Sequence, residues 1–322
     1  MELSVYQREA AETVQLDLSQ PNGRIELVLG LMAEVGSLAK AYRSLLRDDV
    51  PLETQRDRLK RDLGDVLWYA SMIAKSVEID LDDVGRSNLE RVTNRHRKIV
   101  RQEYHPSFDE GYAPEEVFPR RMLFKVRRTE VTSTITAPHV AFCVIDAAPY
   151  VFDGEPKLSD NGKPIGFQLE DSIGDPVNDN SATGDGYRFH DAVHVAFMAV
   201  LGWSPVMREL LHLKRKSKPE TDHVQDGARA SDLEEALSAA LKAFSVTRND
   251  FRTEADIDGD TRNLITLLTA GLEVAEVPLW LWTQAICQGY KAMAGLIENG
   301  EGWLLADLDA QTLEFSVNKP NF

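Results

Sequence analysis

The sequence predicts a mainly helical protein, with an N-terminal all-α helical bundle followed by a C-terminal α+β domain that is mostly helical with a small antiparallel sheet. Three observations carry this reading. Apolar residues recur every three or four positions nearly throughout residues 3–103, the repeat of helices that bury one face. The stretch Tyr104-His-Pro-Ser-Phe-Asp-Glu-Gly-Tyr-Ala-Pro114 then breaks the repeat with turn formers. Beyond it, residues 117–172 are β-prone and interrupted by Gly and Pro, and helix returns from Tyr187. A chain of 322 residues has room for about two domains. They are expected at 1–105 and 117–322, joined by a linker over 106–116.

In the first domain, Leu27, Leu31, Val35, Leu38, Tyr42 and Leu45 form one stripe on a helix from Arg24 to Arg47. Asp48-Asp-Val-Pro51 stops it, since acidic residues suit a helix N-cap and Pro51 suits a first helical turn. A second helix carries Leu59, Leu63, Val66, Leu67, Ala70, Ile73 and Ala74 to Ser76. Asp80 is placed to cap a third, which ends in the basic residues Arg95, Arg97 and Lys98. Short connections make these helices antiparallel neighbours.

In the second domain, strands are expected over Phe118–Thr136 and Val140–Ile145, with Tyr150–Phe152 pairing Ile165–Leu169. Helices are expected over 187–211, 230–246 and 260–298, and a terminal hairpin over Trp303–Ser316. Leu264, Leu267, Leu268, Leu272, Trp280 and Trp282 mark the last helix as core or subunit interface.

Lys and Arg number 36 against 52 Asp and Glu, a net charge of −16. Residues 1–105 are nearly balanced, with 16 basic and 18 acidic side chains, so the excess falls on the rest of the chain. So acidic a surface repels phosphate backbones and anionic lipid, which argues against stable nucleic-acid binding and against membrane association. Nucleotides remain compatible if divalent cations offset the charge locally. Cys143 and Cys287 sit among apolar neighbours and read as free buried thiols. No basic segment followed by an apolar run opens the chain, and no apolar run reaches a bilayer-spanning length, so a cytoplasmic location is expected. Lys214, Arg215, Lys216 and Lys218 form the one dense basic cluster, read either as a helix C-terminal cap or as a nucleic-acid contact, with the cap favoured.

The chemistry concentrates on the first two helices. Glu34 and Ser37 are three residues apart, as are Asp62 and Asp65, so each pair projects from one face. On facing antiparallel helices the four converge, as in carboxylate-rich bundles that hold divalent metals. Hard oxygen donors suit Mg²⁺, whose remaining positions are filled by water and phosphate. Apolar flanks place Glu34 and Asp65 near the bundle interior, and Gly36 and Gly64 let the backbones approach.

These blocks, Leu31–Leu38 and Asp62-Leu-Gly-Asp-Val-Leu-Trp-Tyr69, together with Ile79-Asp-Leu-Asp-Asp-Val84 and Asn88-Leu-Glu-Arg-Val92, resemble the MazG family of nucleoside triphosphate pyrophosphohydrolases. The family signature is ExxE, a spacer, ExxD and an Asn-containing helix with basic residues. The resemblance covers residues 3–103, about a third of the chain. It implies a homodimer or higher homo-oligomer with the site near a subunit interface. It also implies Mg²⁺-dependent (or Mn²⁺-dependent) cleavage of an NTP or dNTP to the monophosphate and pyrophosphate. By resemblance Glu34, Asp62 and Asp65 are catalytic, and with Ser37 they ligate metal. Asn88, Arg91 and Arg95 match polar and basic positions that contact phosphate, the other reading being a solvated basic helix end. Trp68 either stacks a base or packs the bundle. The sequence departs from the signature at Ser37, which removes one of four negative charges, and at Asp62, a methylene shorter than the usual Glu. Asp82 and Asp83 either compensate or cap the third helix. A nucleotide-sensing module with a weakened metal site and output through the C-terminal domain is the alternative function.

A second candidate site lies in Gly184-Asp-Gly-Tyr-Arg-Phe-His190-Asp191-Ala-Val-His194. Histidines at i and i+4 share a helix face, as in HExxH zinc sites, but Asp191 departs from that pattern. His-Asp also occurs in metal-dependent HD phosphohydrolases. Nearby acids are Glu170, Asp171, Asp226, Glu234 and Glu235. Structural histidines, a second phosphate or metal site, and a zinc hydrolase all remain open. The run Tyr187–Pro205 is similar to a C-terminal extension of some MazG-type proteins.

Overall fold

The helical repeat of the first hundred residues forms four helices, α1 (Leu3–Ala11), α2 (Pro21–Asp48), α3 (Leu52–Ser76) and α4 (Leu81–Arg95). They are seen in a computed structural model that describes residues 1–48, 51–95, 104–129, 139–148, 157–158, 164–181 and 184–322. For a few helical and strand residues, Arg91 and Arg95 among them, it describes the backbone alone. The chain divides into two units, Met1–Thr93 and Asn94–Phe322.

In the first unit α2 and α3 run antiparallel: Gly30 lies against Tyr69, and Ser37 against Asp62. A Cβ at Gly30 would stand 2.3 Å from Tyr69 Cε1, so only glycine admits that ring. Gly36 and Gly64, expected to permit the close approach, meet nothing within 4 Å and play no such part. Leu27, Met72 and Ala10 are buried, with Tyr6, Trp68, Tyr69 and Ile73 packed around them. The Trp68 indole N–H donates to Thr13 Oγ1 at 2.9 Å. Gln7 of α1 fastens the far end. Its amide donates to the carbonyls of Ser71 (3.2 Å) and Ile79 (3.0 Å), and its oxygen accepts from Leu81 N (3.1 Å). Asp80 caps α4 by accepting from Asp82 N at 2.7 Å.

The stripe expected to face inward on α2 is only partly the buried one. Leu27 and Ala41 are fully buried, whereas Val35 and Tyr42 are exposed, as are Ile25, Leu29 and Met32. The helix is apolar on nearly every side, so its repeat defines several stripes and packing on α3 selects one.

In the second unit five strands form an antiparallel sheet in the order β5-β2-β1-β6-β7, with β1 at Arg121–Arg128, β2 at Val140–Ala148, β5 at Ser172–Val177, β6 at Gly302–Asp307 and β7 at Thr312–Ser316. The terminal hairpin therefore does not stand alone, because β6 pairs with β1 from Arg121↔Asp307 to Val126↔Gly302. A second, two-stranded sheet pairs β3 (Lys157–Leu158) with β4 (Pro164–Ile165). Tyr150–Phe152, the partner expected for Ile165–Leu169, lies outside the described residues, as does the end of the strand expected to reach Thr136. Strand β5 was not expected, since Ser-Ile-Gly-Asp-Pro-Val is a poor strand sequence; it sits at the sheet edge, where Pro176 is tolerated.

Helices α5 (Asp191–Leu201), α6 (Pro205–Leu210), α7 (Pro219–Val224), α8 (Ala228–Ser245), α9 (Gly259–Leu268) and α10 (Leu279–Asn299) complete the unit. The single helix expected over 187–211 is broken, with α5 ending at Gly202 and Ser204 capping α6 through Met207 N at 3.0 Å. That expected over 260–298 is likewise split, by a turn at Thr269–Leu272, a short 3₁₀ segment and Pro278. Every residue of α5 is buried. It packs on α10, where a Cβ at Gly289 would lie 3.1 Å from Val193 Cα, and against β6 and β7.

Residues 106–116, expected as a linker, are instead anchored within the second unit. Asp109 pairs with buried Arg208, and Tyr112 hydrogen-bonds Thr221 at 2.8 Å. Of the basic cluster Lys214, Arg215, Lys216 and Lys218, Arg215 alone turns inward, while Lys216 and Lys218 are exposed. Arg215 is fully buried, donates to both oxygens of Asp226 (2.6 and 3.0 Å) and reaches Glu273 at 2.6 Å. Arg208 Nε lies 3.5 Å from the same Asp226 carboxylate. Asp226→Ala leaves two buried guanidinium groups short of their shared anion and is expected to destabilise the protein by about 3–5 kcal/mol. A fall in the urea midpoint measures it.

Candidate functional site

Asp62 is the inward member of the N-terminal set, 8% exposed and facing α2. Ser37 Oγ lies 3.5 Å from Asp62 Oδ2, at the outer limit of a hydrogen bond in which the hydroxyl donates. Arg58 Nε stands 3.8 Å from the same oxygen. A charge-assisted bond would measure about 2.7–2.9 Å, so neither partner grips this carboxylate closely. Glu34 is half-buried on the line of α2 that also carries Leu27 and Ala41. Asp65 is exposed, because three residues fall about 60° short of a full helical turn and swing it from Asp62 toward the rim. There its charge, after burial itself, raises the Tyr6 hydroxyl above its ordinary pKa. The carboxylates of Glu34, Asp62 and Asp65 do not gather to within 4.8 Å of one another.

The other N-terminal candidates divide. Trp68 is half-buried and packed against the bundle core, edge-on to Tyr69 with its N–H donated to Thr13. Asn88 is exposed on α4. Arg91 and Arg95 belong to α4, but their side chains lie outside the described residues. Asp82 accepts from Leu3 N at 3.1 Å, tying α1 to α4, while Asp83 lies 3.5 Å from exposed Arg86.

In the second unit, His190, Asp191 and His194 present donor atoms within 4.8 Å of one another, the one such group of three among the described residues. A 3₁₀ turn, Tyr187–Phe189, delivers His190 to the head of α5, and the fourfold spacing sets His194 one turn along. The Tyr187 ring stacks on His190 with centroids 4.3 Å apart. His190 Nδ1 lies 2.9 Å from the Tyr187 carbonyl, which can only accept, so Nδ1 carries the hydrogen. His194 is fully buried, and its Nδ1 donates to Glu234 Oε1 at 2.7 Å. Glu234 also accepts from Ser204 Oγ (2.7 Å) and Val206 N (2.9 Å). Glu234 is thus the anchor of His194 rather than a fourth open ligand. Asp226 is removed from the cluster altogether, its oxygens being held by the arginines.

Burial pulls the His194 imidazole down, but the charges of Glu234 and Glu235 outweigh it and push the pKa up to about 10. Burial raises Glu235, and the two histidines bring it below its ordinary value. Tyr187 is raised to about 12 by burial and then by Glu235. Two contributors were missed in the sequence. The Tyr187 carbonyl carries no side-chain signal, whereas Ser204 before Pro205 is a readable N-cap. Glu234→Gln turns an amide N–H₂ toward groups that must donate, and is expected to cost about 2–3 kcal/mol, seen as a lower melting temperature.

Comparison with known proteins agrees with both halves of the chain. The model of the MazG nucleotide pyrophosphohydrolase domain matches residues 23–100, and that of the MazG C-terminal domain matches residues 158–319. The gene 37 protein of Mycobacterium phage L5 is 32% identical over 108 residues, which span 32% of this chain and 95% of the phage protein. No solved structure matches. Among the described residues no helix is long and apolar enough to cross a membrane. With the C-terminal model alone matching half of its length and the pyrophosphohydrolase model matching the helical unit before it, the chain belongs to the MazG family.

Proposed function

We propose that the N-terminal unit is a Mg²⁺-dependent pyrophosphohydrolase that cleaves a nucleoside or deoxynucleoside triphosphate to the monophosphate and pyrophosphate. The observation that carries the reading is Asp62: a nearly buried carboxylate whose two polar neighbours stand at 3.5 and 3.8 Å invites a stronger counter-charge. By donor type, though their carboxylates stand apart in this structure, Glu34, Ser37, Asp62 and Asp65 suit a hard divalent cation such as Mg²⁺, with Mn²⁺ as a substitute. A bound ion would neutralise charge on the phosphate oxygens during attack by water.

The side chains divide the remaining work. Asp62 and Glu34 hold the interior of the site. The Ser37 hydroxyl orients Asp62 by donating to it. Asp65, at the rim, accepts the proton of the attacking water. Asn88, Arg91 and Arg95 on α4 supply donors for the triphosphate, the arginines as bidentate forks. Ser37 also supports the second reading, a nucleotide sensor, because one fewer charge weakens the grip on metal. Binding without release of pyrophosphate distinguishes it.

We propose also that the unit pairs with a second copy. Ile25, Leu29, Met32, Val35 and Tyr42 form an exposed apolar stripe along α2, and its own core holds few fully buried apolar side chains. Such a surface is rarely left to water.

Glu34→Gln and Asp65→Asn are each expected to lower Mg²⁺-dependent pyrophosphate release by about 100-fold or more with unchanged far-ultraviolet circular dichroism. Parent rates in both variants would refute the assignment. Ser37→Glu restores the fourth carboxylate and is expected to lower the Mg²⁺ concentration giving half-maximal rate. Met32→Glu places a charge in the apolar stripe and is expected to shift the protein toward monomer in light scattering.

A further inference from the structure

The geometry at the head of α5 points to a second metal site, independent of the pyrophosphohydrolase reading. We infer that His190 Nε2, His194 Nε2 and the Asp191 carboxylate bind one divalent transition-metal ion, with Glu235 as the fourth donor on the solvent side. Three independent features lead there.

Spacing comes first. His190 Nε2 lies 3.5 Å from Asp191 Oδ1 and 3.7 Å from Glu235 Oε2, and His194 Nε2 lies 3.5 Å from that same Glu235 oxygen. These separations are too long for charge-assisted hydrogen bonds, which run about 2.7–2.9 Å. Donors held about 2.0–2.1 Å from one tetrahedral ion stand about 3.3 Å apart, close to these three separations, and the donor atoms of His190, Asp191 and His194 all lie within 4.8 Å of one another.

The second feature is an orphan. His194 is fully buried, yet its Nε2 has no hydrogen-bond partner, and it faces the other donors. A buried polar atom left unpaired costs about 1–3 kcal/mol, which ligation would remove.

Third, both rings are fixed from behind. His190 Nδ1 is bound to the Tyr187 carbonyl and His194 Nδ1 to Glu234. Such outer partners fix the plane of each ring and aim Nε2 at the other donors, the arrangement of metal-ligating histidines. Imidazole donors select the Zn²⁺, Fe²⁺, Co²⁺ and Ni²⁺ class over Mg²⁺. The helix N-terminus opposes a cation with about half a charge, and two carboxylates more than offset it. The Glu235 side chain is 44% exposed, so one side of the coordination sphere reaches solvent. A site that keeps such an opening can hold water or a substrate oxygen.

Full-length protein stripped with chelator and titrated with Co²⁺ tests the inference. Cobalt is expected to bind once per chain with a visible ligand-field band that Zn²⁺ abolishes. His190→Ala should lose the band. Glu235→Gln, at a half-exposed position that leaves the core untouched, should weaken Co²⁺ binding by at least about 10-fold. The double variant Glu34→Gln/Asp65→Asn should keep the band, which separates this site from the N-terminal one. A folded parent without the band, a band surviving His190→Ala, or Glu235→Gln binding as tightly as the parent would overturn the assignment.

Discussion

The carboxylate of Glu234 governs the C-terminal unit. Helix α5 has no solvent face, so each polar group on it must be satisfied from within. Glu234, reaching across from α8, answers for His194 and, through Ser204 and Val206, for the start of α6. One side chain thus joins three helices by accepting three hydrogen bonds, each worth about 1.5–3 kcal/mol when the acceptor is charged. The same contact fixes the plane of the His194 ring. Fold and chemistry share a single atom pair there, and neither can be altered alone.

The two units meet the demands of burial differently. The C-terminal unit encloses a large apolar core, and one set of the charges it buries is gathered around Asp226, where Arg208 and Arg215 leave no carboxylate oxygen idle. The N-terminal unit has a small core and relies on polar fastening, with Gln7 alone joining three segments. In such a unit a nearly buried Asp62 with distant partners is conspicuous, because little else there is left unmatched.

Much of this architecture was legible in the residues. The apolar repeat located α2 and α3, and Asp80 before an acidic first turn marked a cap that the structure contains. The His190/His194 spacing was equally readable. Other features escaped for definable reasons. The repeat on α2 is too broadly apolar to tell the buried stripe from the exposed one. Strand β5 carries Gly, Asp and Pro, and its place at a sheet edge follows from its neighbours, not from its own composition. Asp226 lies eleven residues beyond Arg215, yet nothing local shows that the two meet in the interior. Glycines that matter are those opposite a large ring, and Gly30 could not be told from Gly36 without knowing where Tyr69 lies.

That last contact has an evolutionary corollary. Gly30 and the Tyr69 phenol meet where α2 and α3 face one another, one helical turn before Glu34. Drift at either position is therefore constrained by the other. A bulkier residue at 30 is admissible only with a smaller one at 69, and the two should be inherited as a pair.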